Sequence, residues 1–173
     1  VMPFNYTVGD PAQVVAPGLT LDDPDSVLVT WATVKISAGF SAVNGDVLGF
    51  KTDTLPSGWS ATQAGPAPAP TDPWTIITPY GSMTATYNSS LGVMNIVGSG
   101  TRDGYTPILD AVTFEASVAV AGARTLAFIV SDGSVDSLPA TTDNLSLLNL
   151  TTSVLRLPGV SALDSAGFSV SAA

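Results

Sequence analysis

The chain has 173 residues, 45% of them hydrophobic and only 11% charged, with a formal net charge of −9. That charge argues against nucleic-acid binding through phosphate contacts and disfavours an anionic membrane surface. Thirteen of the fourteen acidic residues are Asp, Glu115 is the only Glu, and His and Cys are absent, so the usual general base, the best nucleophile and the soft-metal ligands are missing.

The N-terminal segment Val1-Met2-Pro3-Phe4 lacks the basic start of a signal peptide, and the chain reads as a mature or excised piece of something longer. No apolar run approaches the roughly 18 to 20 residues that span a bilayer, so direct membrane insertion is not expected. The first strong strand is Ser26–Ser37, whose alternation puts Leu28, Thr30, Ala32, Val34 and Ile36 on one face and Lys35 in solvent. Either Val27 or Leu28, and either Trp31 or Ala32, should join the core with Val34 and Ile36, since a one-residue slip exchanges the faces. Turns are expected at Asn44-Gly45-Asp46, Leu91-Gly92, Gly98–Gly100, Ala121-Gly122 and Asp132-Gly133.

Residues 52–82 break the regular spacing. Gly65-Pro-Ala-Pro-Ala-Pro70 reads as polyproline II between Trp59 and Asp72-Pro73-Trp74. Two Trp in so short a stretch predict an inserted loop or extra hairpin packed on the main body, with Trp59, Trp74 and Tyr80 as candidate partner contacts. Further strands are expected at Val93–Val97, around Phe114 and Ser117–Val120, over Thr125–Val130, and at Leu145–Leu157. One short helical turn is expected over 103–112, with Thr106 as N-cap and Pro107 at the first helical position. Turns about every ten residues fit an antiparallel sandwich. Its core should also hold Leu48, Phe50, Ile96, Leu109, Val112, Phe114, Leu126, Phe128 and Val130.

The residues that carry chemistry are few. Asp22, Asp23 and Asp25 precede the first long strand, and short carboxylates on a turn suit a hard cation such as calcium; Asp10, Asp132 and Asp136 are further candidate ligands. Each also fits an Asx turn. Serine has no His partner, Lys35 and Lys51 are the only lysines, and any catalytic carboxylate pair would need two Asp or Glu115 with an Asp. The expectation is therefore no enzyme. Arg124 opens a strand, where an ion pair or hydrogen bonds to backbone carbonyls are the default role. Four of the six Asn begin N-x-[ST] sequons, Asn5, Asn88, Asn144 and Asn149, which fits either glycosylation outside the cell or a Thr/Ser-rich β protein that carries no glycans.

Read in order, several segments resemble one family. They are Tyr6–Asp10 with Ala16–Ser26, Ala32-Thr-Val-Lys-Ile-Ser37, Gly45-Asp-Val-Leu48, and Thr86-Tyr-Asn88 with Leu91–Gly98. Tyr105 with Leu109, Arg124-Thr-Leu-Ala-Phe128 and Val130-Ser-Asp-Gly133 complete the series. The set is similar to the cadherin-like, immunoglobulin-type repeats of large bacterial and algal surface proteins, found in giant adhesins beside calcium-binding RTX repeats. The resemblance covers about residues 6 to 150. It implies an immunoglobulin-like antiparallel β-sandwich at the cell surface, a structural or adhesive unit often stiffened by calcium. Asp23, Asp25 and Asp132 are the matching acidic positions, whereas Val8 and Gly9 stand where an acidic residue is common.

The domain reading is one sandwich over 1–150 and a strand-forming extension over 151–173, in which Val154–Leu157 and Gly167–Val170 complete a sheet or lie on a neighbouring copy. Expected partners are other copies or neighbouring modules, a cell-surface protein, or carbohydrate. A fibre, appendage or surface-layer subunit and a carbohydrate-binding sandwich are the alternatives to the adhesive module.

Overall fold

The computed structural model describes residues 5–22, 27–118, 122–134, 136–137, 140–148, 161–163 and 169–171. The protein is all-β, two sheets packed over one core and a third small sheet beside them, with one helix. The large sheet contains β1 (Asn5–Thr7), β4 (Leu28–Ala38), β6 (Ser60–Gln63), β7 (Trp74–Thr78), β8 (Gly81–Asn88), β9 (Val93–Thr101), β11 (Gly122–Ser131) and β12 (Ala140–Leu148), in the order β1-β12-β11-β4-β9-β8-β7-β6. All its pairs are antiparallel except β1 on β12. The second sheet is β2 (Gln13–Val14), β10 (Val112–Glu115) and β5 (Val47–Phe50), ordered β2-β10-β5. The third is β3 (Thr20–Asp22), β13 (Ser161–Leu163) and β14 (Ser169–Ser171), with β14 in the middle.

Alternation makes the core. In β8 the inward residues Met83, Ala85 and Tyr87 are buried while Ser82, Thr84, Thr86 and Asn88 are exposed. Met94 and Ile96 of β9 and Leu126, Phe128 and Val130 of β11 face the same interior, where Leu48, Phe50, Val112 and Phe114 of the second sheet meet them. Burying each such side chain contributes about 1.5–3 kcal/mol.

The start of β4 departs from the expected face. Val27 and Leu28 are 58% and 51% exposed and Val29 is fully buried. The register against β9 shifts between Val29 and Trp31, passing from Gly100 to Val97. Two residues of β9, Gly98 and Ser99, thus stand opposite Thr30 alone. This bulge changes the phase of the alternation, so Ala32, Val34 and Ile36 keep the core face while Leu28 loses it. Gly98–Gly100 is therefore a bulge inside a strand and not a turn. Gly98 has φ +152, and a Cβ there would run into the carbonyl of Ser82.

The helix α1 (Arg102–Asp110) starts earlier than the proline suggested. Thr101 is the N-cap, its Oγ1 accepting from Gly104 N at 3.2 Å, and Thr106 lies inside, donating to the Arg102 carbonyl. Pro107 is an interior residue of this helix. Buried Tyr105, Ile108 and Leu109 anchor α1 as it crosses from β9 in the large sheet to β10 in the second. Among the described residues no helix is long and apolar enough to cross a membrane.

The 52–82 segment is an extra hairpin. A 3-10 turn at Thr52–Thr54 leads to β6 and β7, which extend the large sheet beyond β8. In the C-terminal extension, β14 pairs with β3 of the same chain, while Val154–Leu157 lies outside the described residues.

Candidate functional site

A concavity lies on the outer side of the second sheet, under the proline-rich loop between β6 and β7. One cavity of about 200 Å³ is lined by Gly49, Phe50, Gln63, Pro68, Trp74 and Thr113, among others. A second of about 490 Å³, lined by Tyr6, Asp10, Gly45 and Ser117, shares Val47, Pro70 and Glu115 with the first. The two read as one groove with a common wall.

Cross-strand register builds the floor. Thr113 stands opposite Gly49, and Glu115 opposite Val47, so these four share the outer face. Lacking a side chain, Gly49 leaves the depression; a Cβ there would lie 3.3 Å from Thr113 Oγ1 and 4.0 Å from Trp74 Cζ2. The roof is held by side chains from its own base. Gln63 Nε2 donates to the carbonyls of Ala69 and Asp72 at 3.2 and 3.0 Å, and Ala69 N donates to Asp72 Oδ2 at 2.7 Å. Trp74 forms the wall, packed edge-on against Phe50 with ring centroids 5.3 Å apart. Its Nε1 is buried with no hydrogen-bond partner, alone among the described buried side-chain N and O atoms. Such an orphan donor costs about 1–3 kcal/mol.

The open end of the groove is acidic. Glu115 and Asp10 line it, and no Lys or Arg lines either cavity. Tyr6 fixes Asp10 through the backbone: its hydroxyl donates to the Asp10 carbonyl at 2.6 Å, and its ring meets Phe114 edge-on at 5.4 Å. Burial pushes the Tyr6 phenol above its ordinary value, with Glu115 and Asp10 adding to the shift and a hydrogen bond to Ala116 opposing it. A phenol held neutral donates to that carbonyl across the physiological range.

Behind the groove, the turn Ser41–Asp46 is fixed by a buried ion pair. Arg124 Nε lies 2.7 Å from Asp46 Oδ2, Arg124 Nη2 lies 3.3 Å from Oδ1, and Ser41 N donates to Oδ2 at 2.8 Å. The Asp46 carbonyl accepts from Tyr87 Oη at 2.6 Å. Sequence reading expected a structural role for Arg124; its partner Asp46 was hidden in an ordinary Asn-Gly-Asp turn signal.

The candidate cation ligands are not brought together as a set. Asp10 follows β1, which runs beside the Gly122 end of β11 through β12, while Asp132 follows Ser131 at the opposite end. The seven residue steps from Arg124 to Ser131 separate them by about 23 Å at strand rise. Asp132 Oδ1 accepts from Ser134 N at 2.7 Å in an Asx turn. Asp136 is exposed and bridges to Ser131. Asp22 ends β3 opposite Ser169, and Asp23 and Asp25 lie outside the described residues. Among the described residues no three or more His, Cys, Asp or Glu are grouped to hold a metal.

The aromatic candidates divide. Trp59 meets Tyr80 at 6.0 Å with their planes 69° apart, and Trp74 belongs to the groove, so the three do not make one flat stacking surface. Of the sequons, Asn88 is exposed at the end of β8, its Oδ1 accepting from Ser90 N and Leu91 N. Asn5 lies in β1 and Asn144 in β12, and Asn149 is outside the described residues.

No family model, no curated protein and no solved structure matches this chain.

Proposed function

We propose that this chain is a non-catalytic structural or adhesive module working at a cell surface, of the cadherin-like, immunoglobulin-like kind. The observation that carries the reading is the outer face of the large sheet. Its register sets Thr62, Thr75 and Thr84 side by side on β6, β7 and β8, with Thr86, Asn95 and Thr33 in the next row. Neighbours in each row are about 4.8 Å apart. Thr33 Oγ1 donates to Asn95 Oδ1 at 3.1 Å across the strands. On β4, β6–β9 and β11 this face carries one described charge, Lys35, in a chain of net charge −9. The same face also exposes Ile77 and Val97, at 52% and 59%, and this mixture of hydroxyl, amide and apolar groups with little charge suits contact with other uncharged surfaces.

Several of the described ionisable groups also serve the scaffold. Arg124 and Asp46 pair, Asp110 Oδ1 accepts from Leu19 N at 2.6 Å, and Asp72 closes the proline-rich loop. Calcium enters this reading only through the Asp22–Asp25 segment and Asp132, because Asp10 is at the far end of the sheet.

The test is adhesion under flow. Beads carrying the chain should be retained on cell-surface protein or polysaccharide layers, and the single substitution Thr75→Lys, at an exposed position, should release them with little change in melting temperature. Absence of retention on every layer overturns the adhesive reading. The fibre-subunit reading would use the terminal strand β14: it docks on β3 of its own chain through only three residue pairs, and in a fibre the same edge would take β14 of a neighbouring copy. Concentration-dependent polymers in light scattering, lost when residues 161–173 are removed, would move the assignment there.

A further inference from the structure

The end of α1 borders a further depression that shares no residue with the groove. It lies between the last turn of the helix, the loop after β2 and the chain that follows the Thr52–Thr54 turn, and it holds about 270 Å³. Half-buried Val14, Pro107 and Asp110 make its floor, and exposed Pro17, Thr54 and Pro56 make its rim. Prolines are already fixed in φ, so such walls give up little freedom on contact. The volume falls just below the roughly 300–1,000 Å³ of pockets that take drug-sized molecules, a size that suits one side chain.

Asp110 supplies the charge. A carboxylate has about four acceptor positions; Leu19 N takes one at 2.6 Å and Gly18 N also donates to it. Among the described residues no Lys or Arg pairs with it, not even exposed Lys51, whose amide donates to the adjacent Ala111 carbonyl at 2.8 Å. The last turn of α1 carries no basic residue, so the negative end of the helix dipole adds to the carboxylate. Thr54 brings a second acceptor: its Oγ1 already donates to the Lys51 carbonyl at 2.7 Å, which leaves only lone pairs for a ligand. The side chains of the pocket therefore present acceptors and apolar surface, and no free donor. The scaffold does not require the charge, since an amide at position 110 would also accept from Leu19 N.

This chemistry selects a primary ammonium on an aliphatic stem. Lysine combines a four-carbon stem that covers apolar surface with a compact head of three donors. An amino sugar carries the same ammonium but surrounds it with hydroxyls, which proline walls cannot pair. We propose that the pocket between Pro17, Pro56 and Asp110 binds a lysine side chain projecting from a partner protein. Its ammonium meets Asp110 and Thr54, and its stem lies against the prolines. This deepens the adhesive reading by naming a side chain that the partner presents.

The experiment titrates the full chain, labelled with ¹⁵N and ¹³C, with lysine blocked at both its α-amino and carboxyl groups. The Val14 methyl and Gly18 amide resonances should shift and saturate. Blocked norleucine, which keeps an aliphatic stem without the ammonium, should bind about fivefold more weakly, the scale of one charge pair. In Asp110→Asn the two ligands should bind alike, while the protein melts no lower than wild type at pH 7.5. Asp53→Asn, an equal change of charge at an exposed neighbour outside the pocket, should alter the lysine affinity by less than about twofold. No shift at Val14 and Gly18, equal binding of lysine and norleucine, or full lysine binding by Asp110→Asn overturns the proposal. Tighter binding of glucosamine than of blocked lysine overturns it in favour of an amino sugar. Shifts of the same resonances with protein concentration alone would give the pocket to a second copy and overturn it equally. A chain that binds lysine yet is not retained under flow loses the adhesive reading and keeps the pocket, and the reverse result does the opposite.

Discussion

Arg124 and Asp46 are 78 positions apart, and their side chains meet at 2.7 Å with 4% and 0% of each exposed. The pair joins the first turns of β11 in the large sheet to the turn that leads into β5 in the second. Through its carbonyl, Asp46 also holds Tyr87 on β8. One carboxylate residue thus fixes the end of the sandwich at which the candidate groove opens.

Breaking that pair should be costly. Asp46→Ala leaves the guanidinium buried without its counter-charge, and the expected loss is about 3–5 kcal/mol. Urea unfolding of Asp46→Ala, Arg124→Met and the double variant measures it. The double variant should be less destabilised than the sum of the singles, because neither charge remains alone.

The acid at the end of α1 behaves in the opposite sense. Burial raises Asp110 above its ordinary 3.8, and hydrogen bonds from Leu19 and Gly18 offset only part of the shift. A raised folded value means the native state holds this proton more tightly than the unfolded chain. Its contribution is therefore most favourable at pH below 3.8 and declines as pH rises through the folded value. Asp110→Asn keeps an acceptor for Leu19 N without the charge. It should raise the melting temperature relative to wild type at pH 7.5 and lose that advantage near pH 3.5, as thermal melts at the two pH values would show.

Helix α1 offers a test of where it begins. Thr101→Ala removes the cap on Gly104 N and should cost about 1 kcal/mol. Thr106→Ala removes only a hydroxyl that donates back to Arg102 within the helix and should cost less. Were Thr106 the cap, the order of the two in chemical denaturation would reverse.

The bulge makes a similar prediction. Gly98→Ala forces a methyl into the left-handed region and against the Ser82 carbonyl, so a loss above about 1 kcal/mol is expected in the same unfolding assay. Tyr105→Phe, which deletes the hydroxyl that donates to the Gly98 carbonyl at 2.5 Å, should weaken the same place by about 1 kcal/mol.

Calcium is checked by melting the chain in chelator and again in millimolar calcium. Occupancy at about 100 times the dissociation constant would add about 2.7 kcal/mol. The expected upshift should vanish in Asp25→Asn and persist in Asp10→Asn, because Asp10 lies at the other end of the sheet from Asp132.

Local pattern was enough for the all-β class. Strict alternation in β8 and in Ala32–Ile36, glycine-marked turns at Gly45, Gly92 and Gly133, and the paired tryptophans that announced an inserted loop or extra hairpin all depend on neighbours a few residues away. The exposed side of β4 with Lys35 and the structural role of Arg124 were legible for the same reason. Pairing across the chain decided the rest. Val29 took the core place of Leu28 because β9 bulges at Gly98, and that bulge exists only once β4 and β9 are in register. Asp46 acquired its meaning from a guanidinium on another sheet. The groove arose because Gly49, Trp74 and Glu115, from three strands, meet under the proline-rich loop. Sequence fixes which faces are apolar over a few residues; which distant backbone and charge each face meets is set by register, and register is a property of the assembled sheets.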